Sequence, residues 1–531
     1  MPGAGLVASG HSPIAVNLRR RIHVLGATAL TSYAGMAVLS YVQAPALWRH
    51  EDAPHTKAFF EGLAAWLQPL LPAPAAWLSG NPLFDSPSSV ILSYWLPLAV
   101  VSTVVLALVM FLSRHGERTD ADLAKLLFNW SLAFAAACAL AFPVFTQDFW
   151  LSAAWGRMIA AGLNPYYALF TADSLAGLPL DHFPMPMSYA PLWGLVSGGV
   201  MLIAGASVVA SALLFKATLA TAWIASLYLV SRITEHAPPR DRCLAISVFG
   251  WTPVGVSQSL AEGHNDIAMV ALALLWLLGL MRGWQAAPIA LAASTLCKYA
   301  TAPLFIIDAI HAIRYAKADW RSYVQRLAAA TAFALAIMAV FYRSPQFFDG
   351  IRVVNEWHFL RPVDALHAIE LMLGLSLWPL RIAALAVFPI LAVHTVWTAW
   401  REPVFERLVR ASIALMASIL FAAASHIWPW YAVWGLGLAA LVPTWWLSRF
   451  MIGVAVLAPF TLASWWVEPF AHHREVAALV MYGGAFAWMV FTRPGSVTKE
   501  TVRETGRPLP GVEARPVDRP AFHIERTGTH G

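Results

Sequence analysis

The chain has 531 residues, of which 59% are hydrophobic and only 12% are charged, with a formal net charge of +6. Soluble domains carry about 25% charged residues, so this composition excludes an ordinary soluble enzyme. Repeated apolar runs of about 17–25 residues predict an all-α polytopic membrane protein with roughly 12–14 transmembrane helices and long external loops. The small positive charge is typical of cytoplasmic loops and indicates no nucleic-acid partner.

Residues 1–22 are predicted to be a cytoplasmic N-terminal lead, because three arginines at 19–21 precede the apolar run Val24–Val42. Residues 23–125 then contain two accessory transmembrane helices. The next apolar run, Leu126–Phe145, leads outward to a long external loop that reaches Tyr189. Loops of this length in a compact protein are usually functional, so we expect the chemistry here.

Residues 126–445 are predicted to form a catalytic membrane module. Within it, residues 192–231 fit either two short crossings or a re-entrant piece followed by one crossing. Basic residues flank the stretch 285–313 on both sides, which predicts a hairpin broken near Lys298, with that lysine at the outer apex. Further transmembrane helices follow at 446–493, and the polar tail 494–531 is predicted to be disordered and cytoplasmic.

The sequence offers no metal or redox motif. The three cysteines, Cys138, Cys243 and Cys297, lie in apolar surroundings without ligand spacing and are interpreted as packing residues. Asp181-His182 and His472-His473 are adjacent pairs without ligand spacing, so no metal site and no cofactor are predicted. The 25 tryptophans are typical of aromatic belts at the membrane interface.

Four polar clusters fall on the same, external side when the positive-inside rule is applied. They are Asp148 with Arg157, the run Glu262-Gly-His264-Asn265-Asp266, Lys298, and His426. Each has a plainer interpretation: the acids and the asparagine can cap helices, the lysine can reach the interface, and the histidine can be a packing residue. Their occurrence together on one face favours a functional site.

One carboxylate, one or two cations and several aromatic rings suit displacement at a sugar carbon that bears a phosphate leaving group. Asp148 would be the base for the acceptor hydroxyl, and Lys298 or an arginine would stabilise the departing phosphate. Glycosidases instead pair two carboxylates, because their leaving group must be protonated. Tryptophan and tyrosine rings would stack on the faces of the sugars.

Several short motifs together resemble a known family. They are QDFW and AWGRMIAAGLNPY within residues 147–166, Tyr189-Ala-Pro-Leu192, Glu262–Asp266, the Lys298 hairpin and Trp428-Pro-Trp-Tyr431. In their order and spacing they resemble polytopic glycosyltransferases of the GT-C superfamily over residues 126–445. The resemblance is greatest to the polyprenyl-phosphate-mannose-dependent mannosyltransferases of glycosyltransferase family 87 and their actinobacterial alpha-mannosyltransferase relatives.

The resemblance implies a multi-pass enzyme of the cell membrane, in a bacterium the inner membrane, with its active site on the periplasmic or external face. Such an enzyme takes a hexose, with mannose favoured, from a polyprenyl-phosphate donor and transfers it with inversion to a hydroxyl of a glycolipid or glycan acceptor. Asp148 would be the catalytic base. The candidate substrate-binding residues are Arg157, Asn164, Tyr189, Glu262, His264, Asn265, Asp266, Lys298, His358, His426, Trp430 and Tyr431.

One departure leaves the sugar open: Phe149, Trp150 and Leu151 follow the aspartate, where the family often has tyrosine or arginine. Two other classes of protein remain as alternatives. A transporter or flippase of lipid-linked saccharides would use the same cations and rings, but it should show an internal repeat, and we find none. A ligase that transfers a whole glycan from a lipid pyrophosphate would share the architecture. The long external loops favour an enzyme.

Overall fold

The computed structural model describes residues 13–48, 58–59, 61–62, 65, 87–114, 119–180, 185–317, 319–467 and 473–493. Three of the predicted segments lie outside these residues: the tail 494–531, most of the lead 1–22, and the pair Asp181-His182. The first residue of the pair His472-His473 lies outside them as well. In the first half of the described chain the α-helices are α1 Pro13–Trp48, α2 Pro87–Arg114, α3 Ala121–Ala139, α4 Asp148–Ala160, α5 Ala172–Leu175, α6 Pro191–Ala204, α7 Val208–Ile233, α8 Pro239–Trp251 and α9 Asp266–Arg282.

The second half continues with further α-helices, several of them short. They are α10 Ala287–Cys297, α11 Phe305–Ile310, α12 Trp320–Phe341, α13 Asp349–Asn355, α14 Pro362–Leu373, α15 Trp378–Arg401, α16 Phe405–Ser418, α17 Val433–Leu441, α18 Trp446–Leu457, α19 Ala463–Trp466 and α20 Arg474–Phe491. Turns of 3-10 helix lie at Tyr299–Leu304, Pro345–Phe348, Pro429–Ala432 and Ala458–Leu462, and π-helical turns at Val254–Ala261, His311–Tyr315 and Ile419–Ala423.

The prediction of an all-α polytopic membrane protein is confirmed. Within the described residues, eight helical segments are long and apolar enough to cross a membrane. They are Leu18–Tyr41, Ser89–Arg114, Val208–Ile233, Pro239–Ala261, Trp320–Phe341, Trp378–Arg401, Trp446–Trp465 and Arg474–Phe491. Two shorter apolar helices are α6 and α10. The figure of 12–14 crossings stays a prediction, because several of the remaining apolar runs are broken helices.

The ambiguous stretch 192–231 contains one short and one long helix. Helix α6 has 14 residues and α7 has 26, and Gly205 between them has a positive φ of 59°. At 1.5 Å per residue α6 rises about 21 Å, which is less than the roughly 30 Å of a hydrocarbon core. The structure therefore corresponds to a short piece followed by one full-length crossing.

The apolar run predicted to be helical up to Phe145 is helical only to Ala139. Pro143 cannot donate a backbone hydrogen bond and disfavours helix at the residue before it, so residues 140–147 run without regular helix until α4 begins at Asp148. The predicted break near Lys298 is present: α10 ends at Cys297, and Lys298 is extended, with φ −158° and ψ 127°. These breaks place polar side chains at helix ends: Asp148 begins α4, and Lys298 directly follows α10.

Many tryptophans lie in the core and not at an interface belt. Trp193, Trp223, Trp251 and Trp276 are at most 1% exposed. Each indole N–H has an acceptor: Ser152 Oγ at 3.1 Å, Gly255 O at 2.7 Å, Leu127 O at 3.2 Å and Asp308 Oδ1 at 2.8 Å, in that order. A buried indole needs such a partner, so these residues join neighbouring helices and also fill the core.

Candidate active site

A cavity of about 440 Å³ lies where the start of α4, the 3-10 turn after Lys298 and the segment 423–434 meet. Three of the four predicted polar clusters contribute directly to its wall, through Asp148, Lys298 and His426. Its aromatic lining consists of Trp155, Tyr189, Tyr299, Trp357, Trp428, Trp430, Tyr431 and Trp434. Cavities of this size, largely apolar with a few converging polar groups, are typical of small-molecule sites.

Asp148 is the first residue of α4, and its side chain is 27% exposed. Its backbone N–H donates to Thr146 Oγ1 at 3.0 Å, and the N-cap residue Gln147 makes no side-chain capping bond. The carboxylate is not used as a cap. It lies 3.3 Å from Nδ1 of His264 instead, so the plain capping interpretation of this acid does not account for its position.

Burial raises the pKa of the Asp148 carboxyl, but the contact with the His264 side chain, the charge of Lys298 and the Tyr189 hydroxyl outweigh burial. The net effect is a pKa below the ordinary value of 3.8. The carboxylate is therefore ionised at neutral pH and can accept a hydrogen bond from a hydroxyl in the cavity. The pKa of Tyr189 is raised, mainly by burial and also by the negative charge of Asp148.

His264 is held by stacking. Its imidazole lies on the ring of Trp430 with centroids 3.8 Å apart and planes 15° apart, and the residue is only 2% exposed. The other face of Trp430 stacks on Trp428 at 4.8 Å and 7°, and Trp428 stacks in turn on Trp465 at 4.8 Å and 18°. Both faces of Trp430 are covered, so it presents its edge to the cavity, and the face-on sugar stacking predicted for it has no room there.

The cation of the site is Lys298. Its Nζ lies 2.6 Å from Oδ1 of Asp266, which also accepts a hydrogen bond from Nε1 of Trp434. The ammonium lies 4.4 Å from the ring centroid of Tyr431 and 5.0 Å from that of Trp434, within cation–π range. Among the described residues that line the cavity, Lys298 is the only lysine or arginine. It snorkels to no interface, since its side chain is only 15% exposed.

His426 also lines the cavity. Its Nε2 lies 3.1 Å from the Tyr431 hydroxyl, and its Nδ1 lies 3.0 Å from Oγ of Ser425. Burial, together with the nearby charge of Lys298, lowers the pKa of His426 to about 4. The imidazole is therefore neutral at pH 7 and can exchange a hydrogen bond with Tyr431 or with a ligand. The backbone of His426 is paired with Phe359, which fixes this wall to the segment before α14.

Several predicted site residues do not line the cavity. The Arg157 guanidinium donates to the carbonyls of Ser174, Ala176 and Ala206, and so it joins α4 to the segments around α5 and before α7. Asn164 donates to Phe341 O at 2.7 Å and accepts from Tyr166 N. His358 is exposed, with Nδ1 2.7 Å from the Glu356 carbonyl. Asn265 is buried, and its amide nitrogen has no partner among the described residues.

Glu262 lies behind the cavity wall. Its Oε2 accepts the backbone N–H groups of Val144 and Phe145 at 3.0 and 2.9 Å, in the segment that leads to Asp148. Lys216 of α7 donates to the carbonyls of Ala261, at 2.6 Å, and Leu260, directly before Glu262. Sequence reasoning missed Lys216. A single lysine within a 26-residue apolar helix was the available signal, because a charge at such depth needs a partner.

These features define the class: a polytopic membrane protein with a cavity that combines one ionised carboxylate, one cation and aromatic walls. Comparison with known proteins agrees with the predicted resemblance. Residues 75–314 match the family model described as the alpha-(1->6)-mannopyranosyltransferase N-terminal domain. This range begins within the predicted accessory region and contains Asp148, the run 262–266 and Lys298. The resemblance to membrane mannosyltransferases is thus confirmed.

The chain is also similar to a protein of known name. The chain is 24% identical over 351 residues to alpha-(1->6)-mannopyranosyltransferase A of Mycobacterium tuberculosis (strain ATCC 25618 / H37Rv). The alignment covers 61% of this chain and 66% of the relative. The predicted class, a membrane glycosyltransferase, is supported by both comparisons.

Proposed function

We propose that the chain is a membrane glycosyltransferase that moves a hexose, with mannose favoured, from a polyprenyl-phosphate donor to a hydroxyl of a glycolipid or glycan acceptor. The observation that carries this proposal is that one cavity contains both the ionised carboxylate of Asp148 and the ammonium group of Lys298. The names of the family and of the mycobacterial relative favour mannose as the sugar.

In the proposed reaction, Asp148 accepts the proton of the acceptor hydroxyl as its oxygen bonds to the anomeric carbon of the donor sugar. The bond from that carbon to the phosphate oxygen breaks at the same time, with inversion, and the polyprenyl phosphate leaves with the electron pair. Lys298 stabilises the charge that develops on the phosphate, so no second acid is needed. His426 is neutral, so with Tyr431 it offers hydrogen bonds to sugar hydroxyls.

The remaining wall supports a lipid-linked donor. Small and aliphatic side chains line the cavity beside Lys298 and His426: Ala300, Ala302, Pro303, Ile351, Val354, Ile419, Ala423 and Ala424. This surface suits the first isoprene units of a polyprenyl chain, with the phosphate at Lys298. Three basic residues, Arg401, Arg407 and Arg410, lie at the ends of α15 and α16 that are remote from His426. Because basic residues mark the cytoplasmic side, this supports a cavity that opens on the external face.

The transporter alternative has one specific observation in its favour. The cavity borders two helix interruptions, at Lys298 and at residues 419–424, and broken helices also line transporter sites. The match to a mannosyltransferase domain favours the enzyme. A flux assay with a lipid-linked sugar in proteoliposomes separates the two, since a transporter moves the intact lipid without forming a glycosidic product.

The decisive experiment is sugar transfer by the purified chain in lipid, with radiolabelled polyprenyl-phosphate mannose and an acceptor extract. Asp148→Asn should lower the rate about 100-fold or more, the scale of a removed general base. Asp173→Asn is the matched control, because Asp173 lies on the same loop and is exposed. Full activity in a folded Asp148→Asn protein would exclude the carboxylate as base, and no product from the wild type would exclude this donor.

A further inference from the structure

A second polar cavity lies at the other end of the molecule's long helices. It encloses about 400 Å³ between α15, α16 and the start of α18, and its lining includes His394, Arg407, Arg410, Trp445 and Trp446. Helix α16 continues from Arg410 toward the residues beside His426, a rise of about 20 Å. The two cavities are therefore separate sites at opposite ends of one helix, and the proposed transfer reaction makes no use of the second.

The lining of this cavity carries an excess of positive charge. Of the described residues that line it, two are arginines and none is acidic. Arg407 pairs with Glu402 and Arg410 pairs with Glu406, but these glutamates are 66% and 58% exposed and neither lines the cavity. Exposed ion pairs contribute little to stability, so a phosphate can compete for both guanidinium groups.

Part of the donor capacity in this cavity is unused. Nε of Arg410 is buried and has no hydrogen-bond partner among the described residues. The Arg410 guanidinium lies 5.8 Å from the ring centroid of Trp445, which holds its plane at the cavity wall. Planar guanidinium groups bind phosphate oxygens in pairs, so two arginines in one cavity form a recognisable phosphate site.

The surroundings indicate that the phosphate belongs to a lipid. Ile390, Val393 and Trp397 form an adjoining stripe on α15 and are 66%, 71% and 55% exposed. Helix α15 is apolar and only 22% of its membrane-spanning residues are buried inside the protein, so this stripe faces acyl chains. Trp446 at the rim is 43% exposed, which suits the headgroup level. A basic pocket next to a lipid-facing stripe is the arrangement that binds anionic headgroups on the cytoplasmic side.

We propose that the cavity formed by His394, Arg407, Arg410, Trp445 and Trp446 binds the phosphodiester headgroup of an anionic glycerophospholipid of the inner leaflet. The phosphate lies between the two guanidinium groups, and the acyl chains run along Ile390 and Val393. This inference concerns a different site from the proposed active site, and it stands or falls independently of the transfer activity.

The test is native mass spectrometry of the full chain released from detergent with added dioleoyl-phosphatidylglycerol or dioleoyl-phosphatidylcholine. The wild type should retain phosphatidylglycerol in preference to phosphatidylcholine. Arg407→Gln and Arg410→Gln should each weaken retention about fivefold, and the double variant about 25-fold, since each arginine near the surface is worth about 1 kcal/mol. The single variants keep the test decisive if the double variant does not fold.

Arg314→Gln is the matched control. Arg314 lies near the same end of α15, donating to the Trp400 carbonyl at 3.2 Å, but it does not line the cavity, so retention should not change. Equal retention of the two lipids by the wild type overturns the proposal, and so does unchanged retention of phosphatidylglycerol by a folded double variant. Competition by glycerol phosphate at the same concentration as the lipid overturns it too, because the cavity would then be a site for free phosphates.

Discussion

Nδ1 of His264 lies 3.3 Å from Oδ2 of Asp148, and the two residues come from separate helix ends. Gly263 makes this approach possible. Its φ is +77°, in the left-handed region, and an added Cβ would lie 2.4 Å from Cδ2 of Phe149. The close packing of Gly263 on the residue after Asp148 therefore sets the distance between the carboxylate and the imidazole.

Gly263→Ala should lower both stability and transfer. The left-handed backbone costs an alanine about 1–2 kcal/mol, and the clash with Phe149 adds to it by displacing the start of α4. Gly162→Ala is a matched control, because Gly162 has the same φ of +77° with nothing within 4 Å of its added Cβ. We expect the control to lose only the strain energy and to keep its activity. Equal losses in thermal midpoint and rate for the two variants would contradict this account.

Lys298→Met should reduce transfer about 100-fold or more by removing the positive charge that faces the leaving phosphate. It should also destabilise the protein by about 3–5 kcal/mol, because Asp266, only 1% exposed, loses its counter-ion. Transfer rates and thermal midpoints in detergent check both effects.

The double variant Lys298→Met/Asp266→Asn separates the two roles. Neutralising Asp266 should restore part of the thermal midpoint, because no unpaired charge then remains buried, while transfer stays low. Recovery of transfer in the double variant would show instead that Lys298 serves only to neutralise Asp266.

His426 predicts a stability change in mild acid. Its pKa is lowered from the ordinary 6.5 to about 4 in the folded chain. The unfolded chain therefore binds more protons between these values, and stability should fall as the pH falls from about 6.5 to about 4, by up to about 3 kcal/mol. His426→Gln should flatten this dependence of the thermal midpoint on pH. His236→Gln, at an exposed position that does not contribute to the pKa of His426, is the control, and its pH dependence should match that of the wild type.

Glu262→Gln tests whether the buried acid positions Asp148. The substitution weakens the hold on the amides of Val144 and Phe145, which lead to Asp148. We expect kcat to fall about tenfold with little change in the KM for the donor, because Glu262 contacts no substrate. Glu235→Gln, which alters an ion pair with Arg232, is the control. A change in KM alone would assign Glu262 to substrate binding, as the sequence pattern first indicated.

Much of the site was accessible to sequence reasoning. The sequence predicts Asp148, Lys298 and His426 as site residues because each is a polar group at the end of an apolar run, where its position carries a cost unless it is used. The structure brings all three to one cavity. Arg157 and Asn164 belong to the same motif as Asp148, yet they bind backbone carbonyls of neighbouring segments. Membership of a motif does not tell a ligand-binding side chain from one that holds a loop.

The amino-acid sequence by itself determined that this is a helical membrane protein and which helix ends carry polar groups, because hydropathy and charge act over a single turn or a single span. Only the tertiary structure decided the partners: Lys298 with Asp266, His264 with Asp148, and Trp430 closed on both faces by His264 and Trp428. These pairs join residues far apart in the chain. Their geometry depends on how whole helices pack, which no local pattern of residues encodes.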